Sequence, residues 1–369
     1  MRFADIDLDA VRHNVRRLRE LTGVDTLIAV VKADGYGHGA AEVARAASDA
    51  GADMLGVADI EEALALRQAG ITAPILAWLH DSDAAYRAAI ELEVHLGVSS
   101  IEQLHGIAEA ARALDRSAHV HLKAETGLNR GGARTWQWAD LVAAARSAEL
   151  DGTLRVAGIF SHLANTSPER NREQLARFTA AIGDAERAGL APDMVHLAAS
   201  EGALTDEALR LDVIRPGIAL YGLSATGAPV STWGLRPVMT LRTAVALINE
   251  LPAGASVSYG SDWTAVDDTR IALVPIGYAD GLPRAASGRA EVSIGGVRYP
   301  IRGRIAMDQI IVEVGAAEVQ PGDDVVIWGD PATGAPSADE WAEWAGTIGY
   351  ELVTKIGRRV HYRYHGGVR

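Results

Sequence analysis

Over roughly the first 220 residues, short apolar runs alternate with longer stretches in which apolar positions recur every three or four residues. The runs fall at 27–31, 54–57, 74–78, 94–98, 118–123, 156–160, 194–197 and 212–214. Their continuous apolar character predicts buried parallel strands. The stretches between them, among them 60–69, 101–114, 136–148, 168–188 and 202–209, predict amphipathic helices. In the fourth, Leu175, Phe178, Ile182 and Ala185 follow helical spacing. Eight alternating units predict a closed (β/α)8 barrel of the TIM type rather than an open sheet.

A further helix is expected before the first barrel strand, with Asp7 or Asp9 as its cap and Val11, Val15, Leu18 and Leu21 as its stripe. The short apolar start at 1–6 is surplus to an eight-stranded barrel and is expected to pair with the C-terminal part. After Tyr221-Gly222-Leu223 the texture changes. Residues 224–235 are rich in Ser, Thr, Gly and Pro and read as a linker. Beyond them helical periodicity gives way to short β-like runs at 244–248, 271–275, 291–294, 310–314 and 324–328, separated by Gly and Pro turns. One helix is expected near 337–345, with Trp341 and Trp344 packing. The resulting division is a barrel over 1–235 and a smaller, mostly β domain over 236–369.

The bulk properties fit an enzyme that works in the cytoplasm. The chain has 369 residues, 48% of them hydrophobic, enough for two cores. A net charge of −13 argues against nucleic acid or an anionic membrane as partner. No apolar run approaches the length of a membrane span, and the start lacks the apolar segment of a signal peptide. With no cysteine there is no disulfide and no thiolate metal site, and no metal is expected.

Candidate chemistry gathers where the predicted strands end. The run 27–31 delivers Lys32 to the glycine-punctuated phrase Lys32-Ala33-Asp34-Gly35-Tyr36-Gly37-His38-Gly39, with a helix expected next. A lysine that loses water on one side has a lowered pKa and becomes the nucleophile that Schiff-base chemistry needs. The glycines let backbone approach a bound group such as a phosphate. Lys123, His162, Ser200 and Arg215 follow other strands, and in a barrel that rim carries the active site. His196, inside its run, reads as a packed strand residue.

These phrases resemble the motifs of alanine racemases. Lys-Ala-Asp-x-Tyr-Gly-His-Gly is matched in full, and the segments around Lys123, His162 and Arg215 look like their counterparts in the family. The likeness continues through Val257-Ser258-Tyr259-Gly260, Pro275-Ile276-Gly277-Tyr278-Ala279-Asp280-Gly281, Gly303-Arg304-Ile305-Ala306-Met307-Asp308-Gln309 and Thr347-Ile348-Gly349-Tyr350-Glu351.

The resemblance implies a pyridoxal 5'-phosphate enzyme that interconverts L- and D-alanine for peptidoglycan. Lys32 would hold the cofactor and serve one face of the substrate; Tyr259, supplied by the partner subunit of a homodimer, would serve the other. A free tyrosine, with a pKa near 10, is a poor base, and the family pattern supports it through His162 and Arg215. An arginine facing the pyridine nitrogen neither takes nor gives a proton there, which favours reprotonation over transamination. Tyr36, Ser200, Gly217, Ile218 and Tyr350 would hold the phosphate. Arg130 would meet the phenolic oxygen and the substrate carboxylate, with Met307 and Tyr278 also at the substrate. Lys123 matches a lysine that is carbamylated in the family.

The chain departs from the family pattern at Ala199, usually Asn, at Glu125, usually Asp, and at Ala306, often Cys. None removes a proposed acid or base. Rival readings are a racemase of serine or another small amino acid, a decarboxylase on a similar scaffold, and a cofactor carrier built from the barrel alone. Arg215 and the tyrosine motif argue against the second, and the β-rich domain against the third.

Overall fold

The computed structural model describes residues 1–81 and 84–367. It divides into two compact units. One comprises Val15–Gly35 and Gly39–Leu220; the other comprises Met1–Asn14, Tyr36–His38 and the chain from Tyr221 on.

Strand β1 (Phe3–Asp7) belongs to the second unit. The next eight strands close the barrel of the first: β2 (Thr26–Val30), β3 (Met54–Val57), β4 (Ile75–Ala77), β5 (Val94–Val98), β6 (Ala118–Lys123), β7 (Leu154–Phe160), β8 (Met194–Ala199) and β9 (Val213–Arg215). All are parallel, and β2 closes on β9. Their apolar runs are buried on both faces, as a helix-covered parallel sheet requires. Ile28, Met54, Leu76 and Val213 form one packed layer of the barrel interior.

The connecting helices begin where the sequence supplies caps. Asp59 accepts from the Glu62 N–H, Ser100 from Gln103, and Ser167 from Arg170, with Pro168 in the first turn. Helix Ile101–Leu114, over the bounds expected, turns Leu104, Ile107, Ala108 and Ala111 inward. Asp7 rather than Asp9 caps helix Leu8–Thr22, accepting from the N–H groups of Asp9 and Ala10.

Two expectations need correction. The stretch 202–209 is two pieces, helix Ser200–Thr205 and a 3-10 turn Glu207–Leu209, because Asp206 leaves helical geometry and caps the second. The run 244–248 is a junction between two strands. The phrase after Lys32 is a turn that leads into helix Ala40–Asp49, as expected, and the turn is left-handed, with φ of 52° at Ala33, 52° at Asp34, 61° at Gly35, 52° at Tyr36 and 74° at Gly37. Left-handed backbone costs roughly 1–2 kcal/mol per non-glycine residue. Gly35 and Gly37 lessen that cost, and the Gly39 and Ala40 N–H groups close the turn on the Asp34 carbonyl and carboxylate.

The second unit is built on a nine-stranded sheet. Its later strands are β10 (Met239–Ala244), β11 (Leu247–Leu251), β12 (Ser256–Val257), β13 (Trp263–Thr264), β14 (Thr269–Val274), β15 (Glu291–Ile294), β16 (Val297–Arg302), β17 (Ile310–Glu313), β18 (Asp324–Trp328) and β19 (His361–His365). The sheet order is β11-β14-β17-β16-β15-β18-β10-β1-β19, while β12 and β13 pair separately. As expected, β1 joins the C-terminal strands: it lies antiparallel to β10 and parallel to β19. Ser337 caps helix Ala338–Ala345 through a reciprocal pair with Glu340. Trp341 is fully buried and packs edge-on against Trp328 and Trp344.

Candidate active site

The barrel brings together Lys32, Lys123, Arg130, His162, Ser200, Arg215, Gly217 and Ile218 of the predicted set. Lys32 follows β2 and is half-buried. Burial pushes its amine down from the ordinary lysine value; the charges of Arg130 and Arg215 push the same way, and Glu62 opposes them. Glu62, which sequence reasoning passed over, anchors the turn beside it. One carboxylate oxygen accepts the Ala33 N–H at 2.7 Å and the other the Ala58 N–H at 2.8 Å.

Arg215 ends β9 and is 4% exposed. Its Nη2 donates to the carbonyls of Ser161 at 2.7 Å and Leu197 at 3.1 Å, and to His162 Nδ1 at 3.3 Å. Its Nη1 donates to His196 Nδ1 at 2.9 Å. Burial lowers the guanidinium pKa to about 9. His162 is driven to about 3 by burial and then by the charges of Arg215, Arg130, Lys123 and Lys32, so it is neutral. A neutral ring whose Nδ1 accepts from arginine carries its proton on Nε2. His196 therefore belongs to the polar site, against the sequence reading. The signal was a fully apolar strand interrupted by one imidazole; what it meets was not visible.

Lys123 ends β6. Its pKa falls to about 8, chiefly through burial, then through the charges of Arg130 and Arg215. Its ammonium lies 5.7 Å from the Phe160 ring centroid. Ser200 begins the helix after β8 and is buried; its Oγ accepts the N–H groups of Gly217 at 3.0 Å and Ala219 at 3.3 Å. This ties the Gly217-Ile218 backbone to the hydroxyl. Thr126 and Ser161 exchange a hydrogen bond below the rim at 2.7 Å.

The other unit holds Tyr36, Tyr259, Tyr278, Met307 and Tyr350. Tyr36 is buried and tilts against Tyr221 and Tyr350, at 4.8 and 6.1 Å between ring centroids. Gly37 permits that packing: a Cβ there would lie 2.1 Å from the Val353 carbonyl oxygen. Tyr259 is 74% exposed at a braced turn. Ser258 has φ of 64° and bonds the Arg304 carbonyl, and Arg304 pairs with Asp262. Tyr278 and Met307 belong to two segments held together, with the Tyr278 N–H on the Ala306 carbonyl and the Ala279 N–H on that of Met307, both at 3.0 Å. Gly277 allows this approach, since a Cβ would meet the Ala306 oxygen at 2.3 Å. Beneath it, Asp280 is fully buried and pairs with Arg2 and Arg359.

Among the described residues no cluster of histidine and carboxylate side chains is arranged to hold a metal ion, and no helix is long and apolar enough to cross a membrane. The donor set suits an anionic, aromatic aldehyde: a depressed amine, obligate arginine donors and a serine-backbone pocket.

Comparison with known proteins agrees over the whole chain. Residues 6–225 match the family model of the alanine racemase N-terminal domain, and residues 238–364 that of the alanine racemase C-terminal domain. The alanine racemase of Salinispora arenicola is 46% identical, covering 98% of this chain and 97% of that protein. That of Mycobacterium tuberculosis is 45% identical, covering 98% and 95%. The crystal structure of alanine racemase from D-cycloserine-producing Streptomyces lavendulae superposes with a TM-score of 0.96 at 45% identity, covering 100% of this chain and 97% of the other.

Proposed function

The chain belongs to the alanine racemase family, and from that premise we propose that it interconverts L- and D-alanine, with pyridoxal 5'-phosphate held on Lys32 and two bases, Lys32 and Tyr259. Pyridoxal phosphate, when bound, supplies an electron-withdrawing ring that makes the substrate Cα proton removable. The protein's residues do the rest.

Lys32 Nζ, its pKa held below the ordinary lysine value by burial and then by neighbouring arginines, takes or returns the proton on one face. Tyr259 does so on the other. A single base would return each proton to the face it left. Tyr259 is exposed on its own unit, so we place the partner subunit's Tyr259 at the second face, in a homodimer with shared sites. His162 presents Nε2–H, a donor suited to hold the phenol oxygen while it is charged. Ser200, Gly217 and Ile218 hold the phosphate together with the hydroxyls of Tyr36 and Tyr350. Arg130 orients the phenolic oxygen and the substrate carboxylate, which the Met307 N–H and Tyr278 also meet. A carbamate on Lys123 would hold Arg130. The reaction is placed in the cytoplasm, feeding D-alanine to peptidoglycan.

The observation that carries this reading is the guanidinium of Arg215, buried and held by four hydrogen bonds. Facing a pyridine nitrogen it would donate but exchange no proton, which would leave the ring a modest electron sink and favour return of the proton to Cα. The test is purified protein with pyridoxal phosphate, assayed on both enantiomers of alanine and of serine, and borohydride reduction followed by peptide mapping. Conversion of alanine well above serine, with the adduct on Lys32, is expected. An adduct on another lysine overturns the assignment, and a preference for serine selects the rival substrate.

A further inference from the structure

A chain of histidines crosses the barrel interior behind Arg215. His196 Nε2 meets His121 Nδ1 at 2.9 Å, and His121 Nε2 meets His95 Nδ1 at 3.0 Å. His121 and His196 are fully buried; His95 is half-buried and stacks on His119 at 4.7 Å between centroids. The positions climb the barrel: His95 is the second residue of β5, His121 the fourth of β6, His196 the third of β8, and Arg215 the last of β9. The registers Leu76↔His95, Gly97↔His121, Gly158↔His121 and His196↔Val213 place them on the face that carries the Leu76 and Val213 core layer.

Four features of the barrel accommodate this row. The β6–β7 ladder shifts register between Val120 and His121, and the β8–β9 ladder between His196 and Ala199. Such irregularities re-aim side chains. Between β6 and β8, Gly158 lies under the His121 ring: a Cβ there would stand 2.2 Å from His121 Nδ1. Phe160 stacks on His196 at an interplanar angle of 8°.

The proton pattern follows from one fixed end. Arginine only donates, so His196 Nδ1 accepts and its single proton is on Nε2. That N–H donates to His121 Nδ1, which puts the His121 proton on Nε2 as well. The same step fixes His95. Burial keeps His121 and His196 well below the ordinary histidine pKa, and His95 at about 4 by burial and then the His119 charge, so the neutral forms apply. Every Nδ1 lone pair then points toward the guanidinium, and the aligned ring dipoles offset part of its desolvation.

We propose that His196, His121 and His95 form a tautomer-locked column that positions Arg215 and closes the barrel interior to proton relay from its far end. Relay inward from His95 would need each ring to accept on Nε2 and donate from Nδ1, so every ring would first have to move its own proton from Nε2 to Nδ1. That arrangement would set His196 Nδ1–H against Arg215 Nη1–H, two donors face to face. The column therefore conducts no proton to the catalytic mouth. The spectral part of the test rests on the reading of Arg215 as the partner of the pyridine nitrogen; the proton map does not.

Neutron diffraction from deuterium-exchanged holoenzyme crystals reads the pattern directly. Deuterium on Nε2 and a bare Nδ1 are expected at all three rings; deuterium on Nδ1 of His121 or His196 overturns the proposal. His196→Leu should then lower kcat by about tenfold or more, the scale of one buried charged hydrogen bond, and shift the visible band of the bound cofactor. His196→Gln, which accepts and donates, should restore the band. A folded His196→Leu enzyme with unchanged band and kcat makes the column packing only. The neutron map needs no variant, so a variant that fails to fold leaves the test intact. Failure of the wild type to take up cofactor sinks the functional reading instead.

Discussion

The carboxylate of Glu62 holds the backbone N–H of Ala33 at 2.7 Å, one peptide beyond Lys32 and at the first left-handed residue of the turn. The same side chain pushes the Lys32 pKa upward, against burial and the charges of Arg130 and Arg215. Glu62→Gln removes that charge, so the Lys32 amine should titrate lower still. Cofactor incorporation by apoenzyme, trapped with borohydride across pH, should shift to lower pH. Partial loss of the bond to Ala33 should cost about 1 kcal/mol in thermal stability. A shift to higher pH would mean Glu62 does not act on Lys32 through its charge.

Gly158 has no room for a methyl group because His121 fills its face. Gly158→Ala should cost about 1–3 kcal/mol, the range of overpacked cores. The remedy is specific: Gly158→Ala combined with His121→Ala should lose less than the sum of the two single variants, because the clash disappears with the ring. Additive losses in a double-mutant cycle of unfolding free energies would place the strain elsewhere.

The barrel was legible because its parallel strands are buried on both faces and so read as unbroken apolar runs; the eight runs correspond to β2–β9. The rim residues were legible as single polar groups ending such runs. What escaped notice depended on partners far off in sequence. Strand β19 reads as polar because His361 and His365 are exposed, and it is a strand only through its pairing with Phe3–Asp7. The 244–248 run breaks because β10 leaves β18 at Ala244 while β11 takes β14 from Leu247. The turn after Lys32 was legible from its glycines, but its left hand was not, because glycine spacing reveals permissiveness, not the sign of φ. His196 looked like packing because its meaning lies in Arg215, His121 and Phe160, on three other strands.

Acid should destabilise the protein before its carboxylates titrate. Unfolded histidine takes up a proton near pH 6.5. In the fold His95 does so only near 4 and His162 near 3, and burial holds His121 and His196 down as well. Below 6.5 the unfolded chain therefore binds more protons, and stability falls with pH until the folded values are reached. Asp5 acts lower: burial raises its pKa, but the Arg363 hydrogen bond and charge outweigh burial, so its contribution is present above 3.8 and is lost only below that. Urea unfolding at steps between pH 7 and 4 should show the histidine-driven slope, and His95→Gln should flatten it. An unchanged slope would assign the acid sensitivity to other groups.

Lys123 is poised for reaction with carbon dioxide. Only the neutral amine attacks, and a pKa of about 8 leaves roughly a tenth neutral at pH 7, against far less for an ordinary lysine. The resulting anion would sit among the charges of Arg130, Arg215 and Lys32 that now disfavour the ammonium. Protein equilibrated with 13C-bicarbonate should show a carbamate carbonyl signal that Lys123→Arg lacks. Absence of the signal in wild type would leave Lys123 an ammonium.

The two-base arrangement makes its sharpest statement about Tyr259→Phe. The substitution removes one hydroxyl from an exposed side chain, so folding and cofactor capture by Lys32 should be unchanged. Racemisation should fall in both directions, because each turnover uses both faces, and by about 10²–10⁴-fold, the usual contribution of one acid–base group. Exchange of the Cα hydrogen with deuterated water separates the faces. With Lys32 serving the D-enantiomer, D-alanine should still exchange while L-alanine should not. Equal loss with both enantiomers would make Tyr259 a structural residue, and near-normal racemisation would remove it from the reaction. Mixing inactive Lys32→Ala with inactive Tyr259→Phe under subunit exchange should also restore activity, since a hybrid dimer has one intact site if the tyrosine comes from the partner. No recovery would mean that each chain builds its own site.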